Sequence, residues 1–230
     1  GEDLLRVAEA THDQFSQLAS RIKGRGDTIS GELVVTSLIE LAGWMTPVLV
    51  AFQKENPDIT VRFLTGERLF RLEYGEAHVA IRAGSAPDQP DNVVQPFITL
   101  KVGFYAHKSY VDKFGIPASI EEYVNHRFVV HDDMQMRAPF FQWMHKVVPK
   151  AAMTFRCLDS KALTEAILSG AGIGFLKLRD AKDNPDLIEI HPRLSEWDSP
   201  LWLVTHVDLH RTPKVQALVK FLKNSAKGVV

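Results

Sequence analysis

The sequence predicts an α/β fold in which two Rossmann-like lobes are joined by two crossing strands and preceded by a linker helix. Strand and helix patterns alternate along residues 31–82, an order that favours a parallel sheet with right-handed crossovers. Two long extended segments, 93–106 and 199–207, enclose a second set of strands and helices. The predicted parts are a linker helix at 1–26, lobe I at 30–96 and 207–230, and lobe II at 97–206.

Residues 1–23 have the pattern of a helix that packs against another helix. Its seam positions recur at spacings of 4, 3, 4, 3 and 4 residues, as in a coiled coil: Leu4, Ala8, Thr11, Phe15, Leu18 and Ile22. The remaining positions are mostly polar, so packing must stabilise this helix, because isolated helices are marginal in water. We interpret it as a dimerisation helix, and a helix packed on its own domain is the alternative.

Lobe I begins with an alternating strand and an amphipathic helix that contains Pro47 in its first turn or at a kink. The residues expected on the buried face of this helix are Leu41, Met45, Val48, Leu49 and Phe52. The other predicted elements are strands at 31–36, 59–64 and 78–82, a short helix at 67–74, a loop at 83–92 and a final helix that starts at Thr212 and Pro213.

Lobe II repeats the alternation of strands and helices with a different sequence. Its predicted helices lie at 109–115, 119–126, 138–146 and 160–170, and its strands at 127–131, 151–158, 173–178 and 187–190. The glycines of GAGIG at 170–174 follow a helix and precede a strand, which is the reverse of the order in a dinucleotide-binding loop. We therefore expect a tight turn at the end of the helix.

Composition excludes several classes of protein. The formal net charge is -1 and no basic recognition helix is visible, so these residues carry no strong nucleic-acid footprint. The single cysteine, Cys157, excludes an intrachain disulfide, and no signal peptide or membrane-spanning apolar run is present. The sequence contains no HExxH, no GxSxG and no Cys-rich metal spacing. An enzyme on this fold is a further alternative, which detectable turnover would reveal. We expect a cytoplasmic protein that is not an enzyme and that holds no cofactor and no metal.

Four stretches, taken together and in order, resemble the effector-binding domain of LysR-type transcriptional regulators. They are GELVVTS (31–37), ENPDITVRFLTG (55–66), YGEAHVAIRAG (74–84) and ALTEAILSGAGIGFL (162–176). The resemblance covers about residues 31–225. Two positions depart from the family pattern, since His78 replaces the usual Asp and Lys177 stands where a Pro often ends the last motif.

The resemblance implies a fold like that of type 2 periplasmic binding proteins, with a small effector bound between the lobes. It also implies a homodimer or homotetramer that binds DNA only through an N-terminal helix-turn-helix, which is not present in this chain. The alternative is a solute-binding protein of a transport system with the same two-lobed fold. Such a protein would carry a secretory signal and would not need a dimerisation helix.

Polar residues of lobe I and of the crossing strand are candidate effector contacts. Thr36 and Ser37 follow the first strand near the start of a helix, where hydroxyls and free backbone N–H groups suit an anion. Ser37 could instead be a helix N-cap. Thr99 lies on the crossing strand, where a β-branched residue also simply favours a strand.

Lobe II supplies the other candidate contacts. Asp133 and Arg137 belong to the segment HDDMQMR, which follows a predicted strand, and Asp159 and Ser160 open a predicted helix. Arg137 would bind a carboxylate of the ligand, whereas Asp132 and Asp133 favour a cation or a hydroxylated ligand. A solvated loop and a simple N-cap at Asp159 are the alternatives. We expect a small effector that is polar or anionic.

Overall fold

A computed structural model of the chain describes residues 29–66, 70–136 and 138–226, together with Thr11 and Phe15. The chain divides into two compact units, Gly1–Ile98 with Leu201–Val230 (unit 1) and Thr99–Pro200 (unit 2). Thr11 and Phe15 are helical and exposed, and 66% of Phe15 is accessible. The other predicted seam positions lie outside the described residues: Leu4, Ala8, Leu18 and Ile22.

Unit 1 is built on a five-stranded sheet. Its elements are β1 (Gly31–Ser37), α1 (Ala42–Glu55), β2 (Ile59–Thr65), β3 (Val79–Ala83), β4 (Asn92–Leu100), β10 (Ser199–His206), α6 (Val207–His210) and α7 (Pro213–Ala226). The last two residues of β4, which include Thr99, and the first two of β10 belong to unit 2. The strand order is β2-β1-β3-β10-β4. β1 pairs in parallel with β2 and β3, and β10 runs antiparallel to β3.

β1 is an interior strand of unit 1, and apolar side chains on both of its faces are buried. Leu33 and Val35 are fully buried, and Val34 packs with Ala80 and Val204 on the opposite face. A strand buried on both faces is typical of a parallel sheet covered by helices. The predicted buried face of α1 is confirmed, with Met45, Leu49 and Phe52 buried, Val48 half-buried and Leu41 buried just before the helix.

Unit 2 contains a three-stranded antiparallel sheet of order β8-β5-β9 and a parallel pair, β6 and β7. Its elements are β5 (Val102–His107), α2 (Lys108–Phe114), β6 (Phe128–His131), α3 (Pro139–Val147), β7 (Met153–Cys157), α4 (Ser160–Leu168), β8 (Gly174–Lys177), α5 (Leu178–Ala181) and β9 (Leu187–His191).

Aromatic side chains dominate the core of unit 2. Phe104 on β5 is fully buried, and its ring centroid lies within 6.3 Å of five other aromatic rings: Tyr123, Phe128, Trp143, Phe175 and Trp197. Such pairs stabilise a core beyond the area they bury. The two small sheets of unit 2 therefore share one aromatic cluster.

Three element predictions need correction. The extended segment 93–106 is two strands, since Lys101 separates β4 from β5, which pairs with a different sheet. The predicted helix at 119–126 is a 3-10 helix at Ile120–Asn125, whose β-branched residues and Asn are weak α-helix formers. The strand predicted at 151–158 begins only at Met153, after a 3-10 turn at Lys150–Ala152.

Two further predictions concern segments that form short turns. In place of the helix predicted at 67–74, the described residues contain a 3-10 turn at Leu72–Tyr74, and 67–69 lie outside them. The turn predicted at the end of α4 is confirmed. The Gly170 and Ala171 N–H groups donate to the carbonyls of Ile167 and Ala166, and Gly170 has a φ of 78°. This is a Schellman motif, which favours glycine at the left-handed position.

Candidate functional site

In unit 1, the two candidate residues lie at the carboxyl end of β1, an interior strand of the sheet. Thr36 and Ser37 are buried, and Thr36 is paired with Leu64 on β2 and with Ala80 on β3. The Ser37 hydroxyl donates to the Leu38 carbonyl at 3.0 Å. The next helical turn starts after Leu38 and has no side-chain cap, so the N-cap alternative for Ser37 is wrong.

His78 shows how unit 1 accommodates a departure from the family pattern. The ring Nδ1 of His78 accepts a hydrogen bond from the Val34 N–H at 2.8 Å, and the backbone N–H of His78 donates to the Val34 carbonyl at 2.9 Å. A carboxylate at this position would also act as an acceptor. The imidazole therefore replaces the usual acidic acceptor and holds the start of β3 against β1.

Thr99 lies on β4 and its side chain is exposed. Two contacts hold the chain on either side of it. The ring of Phe97 packs against Trp44 of α1 at a centroid distance of 5.5 Å, and the Lys101 carbonyl accepts from the Leu178 N–H at 3.1 Å. The Thr99 hydroxyl is therefore presented from a segment that is fixed at both ends.

In unit 2, the parallel pair β6 and β7 places two loops side by side. His131 at the end of β6 is in register with Cys157 at the end of β7, and the Asp132 N–H donates to the Cys157 carbonyl at 3.0 Å. The segments that follow, 132–136 and 158–160, therefore leave the sheet at the same edge. We call them the unit 2 loops, and they contain Asp133, Asp159 and Ser160.

The carboxylates of these loops stabilise local turns. One oxygen of Asp133 accepts from the Gln135 N–H at 2.8 Å, and one oxygen of Asp159 accepts from the Ala162 N–H at 2.8 Å. Asp159 is thus the N-cap of α4, as the sequence predicts, and Ser160 is the first residue of that helix. Both carboxylates are exposed. Arg137 lies outside the described residues.

Sequence reasoning missed the residue that connects the two loops, which is His131. Its side chain is 1% exposed. Its Nδ1 lies 3.1 Å from the Asp133 nitrogen, and its Nε2 lies 2.9 Å from the Leu158 oxygen. The ring also packs against Phe141 of α3 at 5.3 Å. A histidine at the end of an apolar strand was the available signal, but the contact with Leu158 depends on a strand pairing that the local pattern does not contain.

Charged neighbours shape this edge of unit 2. Arg156 on β7 forms an ion pair with Asp132, and both side chains are about half exposed. Burial lowers the pKa of His145 on α3, the charge of Arg156 lowers it further, and the charge of Asp133 opposes this. The lowered pKa favours a neutral imidazole at His145. The acidic groups of the unit 2 loops are their exposed carboxylates.

Within the described part of the chain, no group of three His, Cys, Asp or Glu side chains is arranged to hold a metal ion. None of the described helices is long and apolar enough to cross a membrane. The candidate residues that the structure describes offer hydroxyls at Thr36, Ser37, Thr99 and Ser160 and carboxylates at Asp133 and Asp159.

Comparison with known proteins supplies a family for these elements. The family model of the LysR substrate-binding domain matches residues 26–227. An HTH-type transcriptional regulator from Xanthomonas campestris pv. campestris is 26% identical over 197 residues, which cover 78% of this chain and 54% of that protein. The chain spans about half the length of the curated relatives it matches, such as this one and YcaN of Escherichia coli.

Solved structures share the fold at low sequence identity. The regulatory domain of CrgA from Neisseria meningitidis, a LysR-type transcriptional regulator, has a TM-score of 0.71 and 20% identity, with coverage of 86% of this chain and 100% of that one. Full-length AphB, a virulence activator from Vibrio cholerae, has a TM-score of 0.68 and 20% identity, with coverage of 91% and 74%. Both show the architecture on which the candidate residues lie.

Proposed function

The chain belongs to the LysR substrate-binding domain family, and we propose that it is the ligand-sensing domain of a LysR-type transcriptional regulator. The observation that carries this proposal is the family match across residues 26–227, which includes every candidate effector residue. The same match favours the regulator over the transport protein that the sequence left as an alternative.

We propose that the effector is a small polar molecule contacted by residues from both units. Unit 1 contributes Thr36 and Ser37, and unit 2 contributes Thr99, the unit 2 loops and Arg137. The exposed Asp133 and Asp159 carboxylates favour ligand groups that donate hydrogen bonds. Met134 and Leu158 on the same loops are 52% and 62% exposed, so they offer apolar contacts to the remainder of the molecule.

The proposed response is a population shift. An effector that binds one arrangement of the units better than another changes their equilibrium by its difference in affinity. In the full-length regulator, a dimer or tetramer would transmit the change through the helix predicted at 1–23 to a DNA-binding segment. The protein would act in the cytoplasm, and its role requires no catalysis.

The first experiment identifies the effector. Native mass spectrometry of the chain purified from its own host should reveal a retained small molecule. Calorimetry with that molecule would then compare the Ser37→Ala and Thr99→Val variants with the wild type. Loss of one hydrogen bond is expected to weaken binding by about 0.5–1.5 kcal/mol.

The Thr60→Val variant is a matched control, because Thr60 is also an exposed threonine on a strand of the same sheet. It should bind as the wild type does. Unchanged affinity in Ser37→Ala and Thr99→Val, with the fold intact, would place the site elsewhere.

A further inference from the structure

The partners of His131 determine its protonation state. A backbone carbonyl can only accept a hydrogen bond and a backbone N–H can only donate one. The Leu158 carbonyl lies 2.9 Å from Nε2, so Nε2 carries the proton, and the Asp133 N–H lies 3.1 Å from Nδ1, so Nδ1 is the acceptor. These two partners assign His131 the Nε2–H tautomer.

The two bonds of this ring reach different segments of the chain. Asp133 belongs to the loop after β6. Leu158 belongs to the loop after β7, 27 residues along the chain from His131. Phe141 packs against the ring, and the side chain is 1% exposed, so the imidazole has little freedom to leave this position. Both bonds are partly buried, so breaking one costs the ring nitrogen its partner in a position that water reaches poorly.

We propose that His131 is a positioning residue for effector binding, which fixes the spacing of the two unit 2 loops through its two ring nitrogens. The proposal rests on the proposed function, since the loops matter as the place where Asp133, Asp159 and Ser160 would meet the effector. His131 touches no effector itself. It acts by holding the backbone on which the contacting side chains are carried.

Two substitutions separate the two bonds. In His131→Asn, the side-chain oxygen lies near the former Nδ1 position, so it retains the bond to Asp133 and loses the bond to Leu158. In His131→Gln, the longer amide places an N–H near the former Nε2 position, so it retains Leu158 and loses Asp133. His131→Phe keeps a packed ring and loses both bonds.

Amide hydrogen exchange measures each loop without any effector. The Asp133 amide reports on the first loop, and the Asp159 and Ala162 amides report on the second, since they donate to Cys157 Sγ and to the Asp159 carboxylate. We expect exchange about 2- to 10-fold faster in the second loop alone for His131→Asn, and in the first loop alone for His131→Gln. His131→Phe should accelerate exchange in both.

The control is His107→Asn. His107 accepts from the Ser109 N–H at the start of α2, a local cap that Asn also supplies, so both unit 2 loops should keep wild-type exchange. In the wild type, the ring 15N spectrum should show the Nε2–H form. A ring protonated at Nδ1, or Asn and Gln variants that release both loops equally or neither, would overturn the proposal. A failed effector search with the expected exchange pattern would count against the proposed function alone.

Discussion

The two units hold their candidate residues in different ways. In unit 1, backbone pairing fixes Thr36, because it lies in an interior strand with a partner on each side. In unit 2, β6 and β7 form a sheet of only two strands, and side chains fix the loops that follow them. His131 connects those loops, and Asp159 caps the helix after the second.

The hydrophobic cores of the two units also differ in how far they depend on individual side chains. A continuous sheet with aliphatic side chains on both faces supports unit 1. Unit 2 joins two small sheets through an aromatic cluster around Phe104 and a single parallel bridge between Phe128 and Ile173. A continuous sheet tolerates the loss of single side-chain contacts because its backbone ladder remains. Unit 2 depends on particular side chains, so we expect its loops to be the more sensitive half of the site.

The largest expected effect comes from Phe104→Ala. The substitution removes a fully buried ring that contacts five others, and it should destabilise the protein by about 3–5 kcal/mol. Phe52→Ala in unit 1 is the comparison, since Phe52 is 1% exposed and packs edge-on against Phe221. Urea unfolding should give the smaller loss for Phe52→Ala. Equal losses would contradict the distinction between the cores.

Replacement of a glycine by alanine should have opposite effects on stability in the two units. A Cβ at Gly172 would lie 2.5 Å from the Arg127 carbonyl oxygen, so Gly172→Ala forces the backbone apart and should cost about 1–3 kcal/mol. A Cβ at Gly43 in α1 meets nothing within 4 Å, and Gly43→Ala should stabilise the helix by about 0.5–1 kcal/mol. Thermal melts of both variants test this, and a stabilised Gly172→Ala would show that the contact relaxes freely.

A smaller difference in stability is expected when each of two candidate site residues is replaced by alanine. Asp159→Ala removes the N-cap of α4 and should destabilise unit 2 by about 1 kcal/mol, while Asp159→Asn retains the cap. Ser37→Ala should cost less, because the Leu38 carbonyl keeps its bond from the Leu41 N–H at 3.1 Å. Chemical denaturation separates these values. A cost for Ser37→Ala above that for Asp159→Ala would refute the contrast.

The smallest effect is a dependence on pH. His126 in unit 2 is buried and its Nδ1 lies 3.2 Å from the Tyr110 hydroxyl; burial lowers its pKa, although Glu122 opposes this. The unfolded chain therefore binds more protons than the folded one, so stability is highest above the unfolded pKa of about 6.5 and falls at lower pH.

His126→Asn keeps an acceptor for Tyr110 and cannot titrate. Its unfolding free energy should fall less between pH 7 and pH 5 than that of the wild type. Burial also lowers the pKa of His210 in unit 1, with help from Arg211 and Lys223, so part of the slope should remain. An unchanged slope in His126→Asn would exclude His126 as a source of the dependence.

Local patterns explain what could be predicted from the sequence. β1, the buried face of α1 and the Asp159 cap depend on residues within a few positions of one another, and the structure confirms them. The break at Lys101 depends on which sheet each strand joins. The role of His131 depends on its register with Cys157, which periodicity does not encode.

The most direct test of the account is hydrogen exchange of the chain with and without the small-molecule extract of its host. An effector contacted by both units should protect residues 36–41 of unit 1 and, at the same extract concentration, residues 99–101 and the unit 2 loops. Removal of small molecules by dialysis should reverse the protection. Protection confined to one unit, or no protection at saturating extract, would contradict the proposal that the two units bind one effector together.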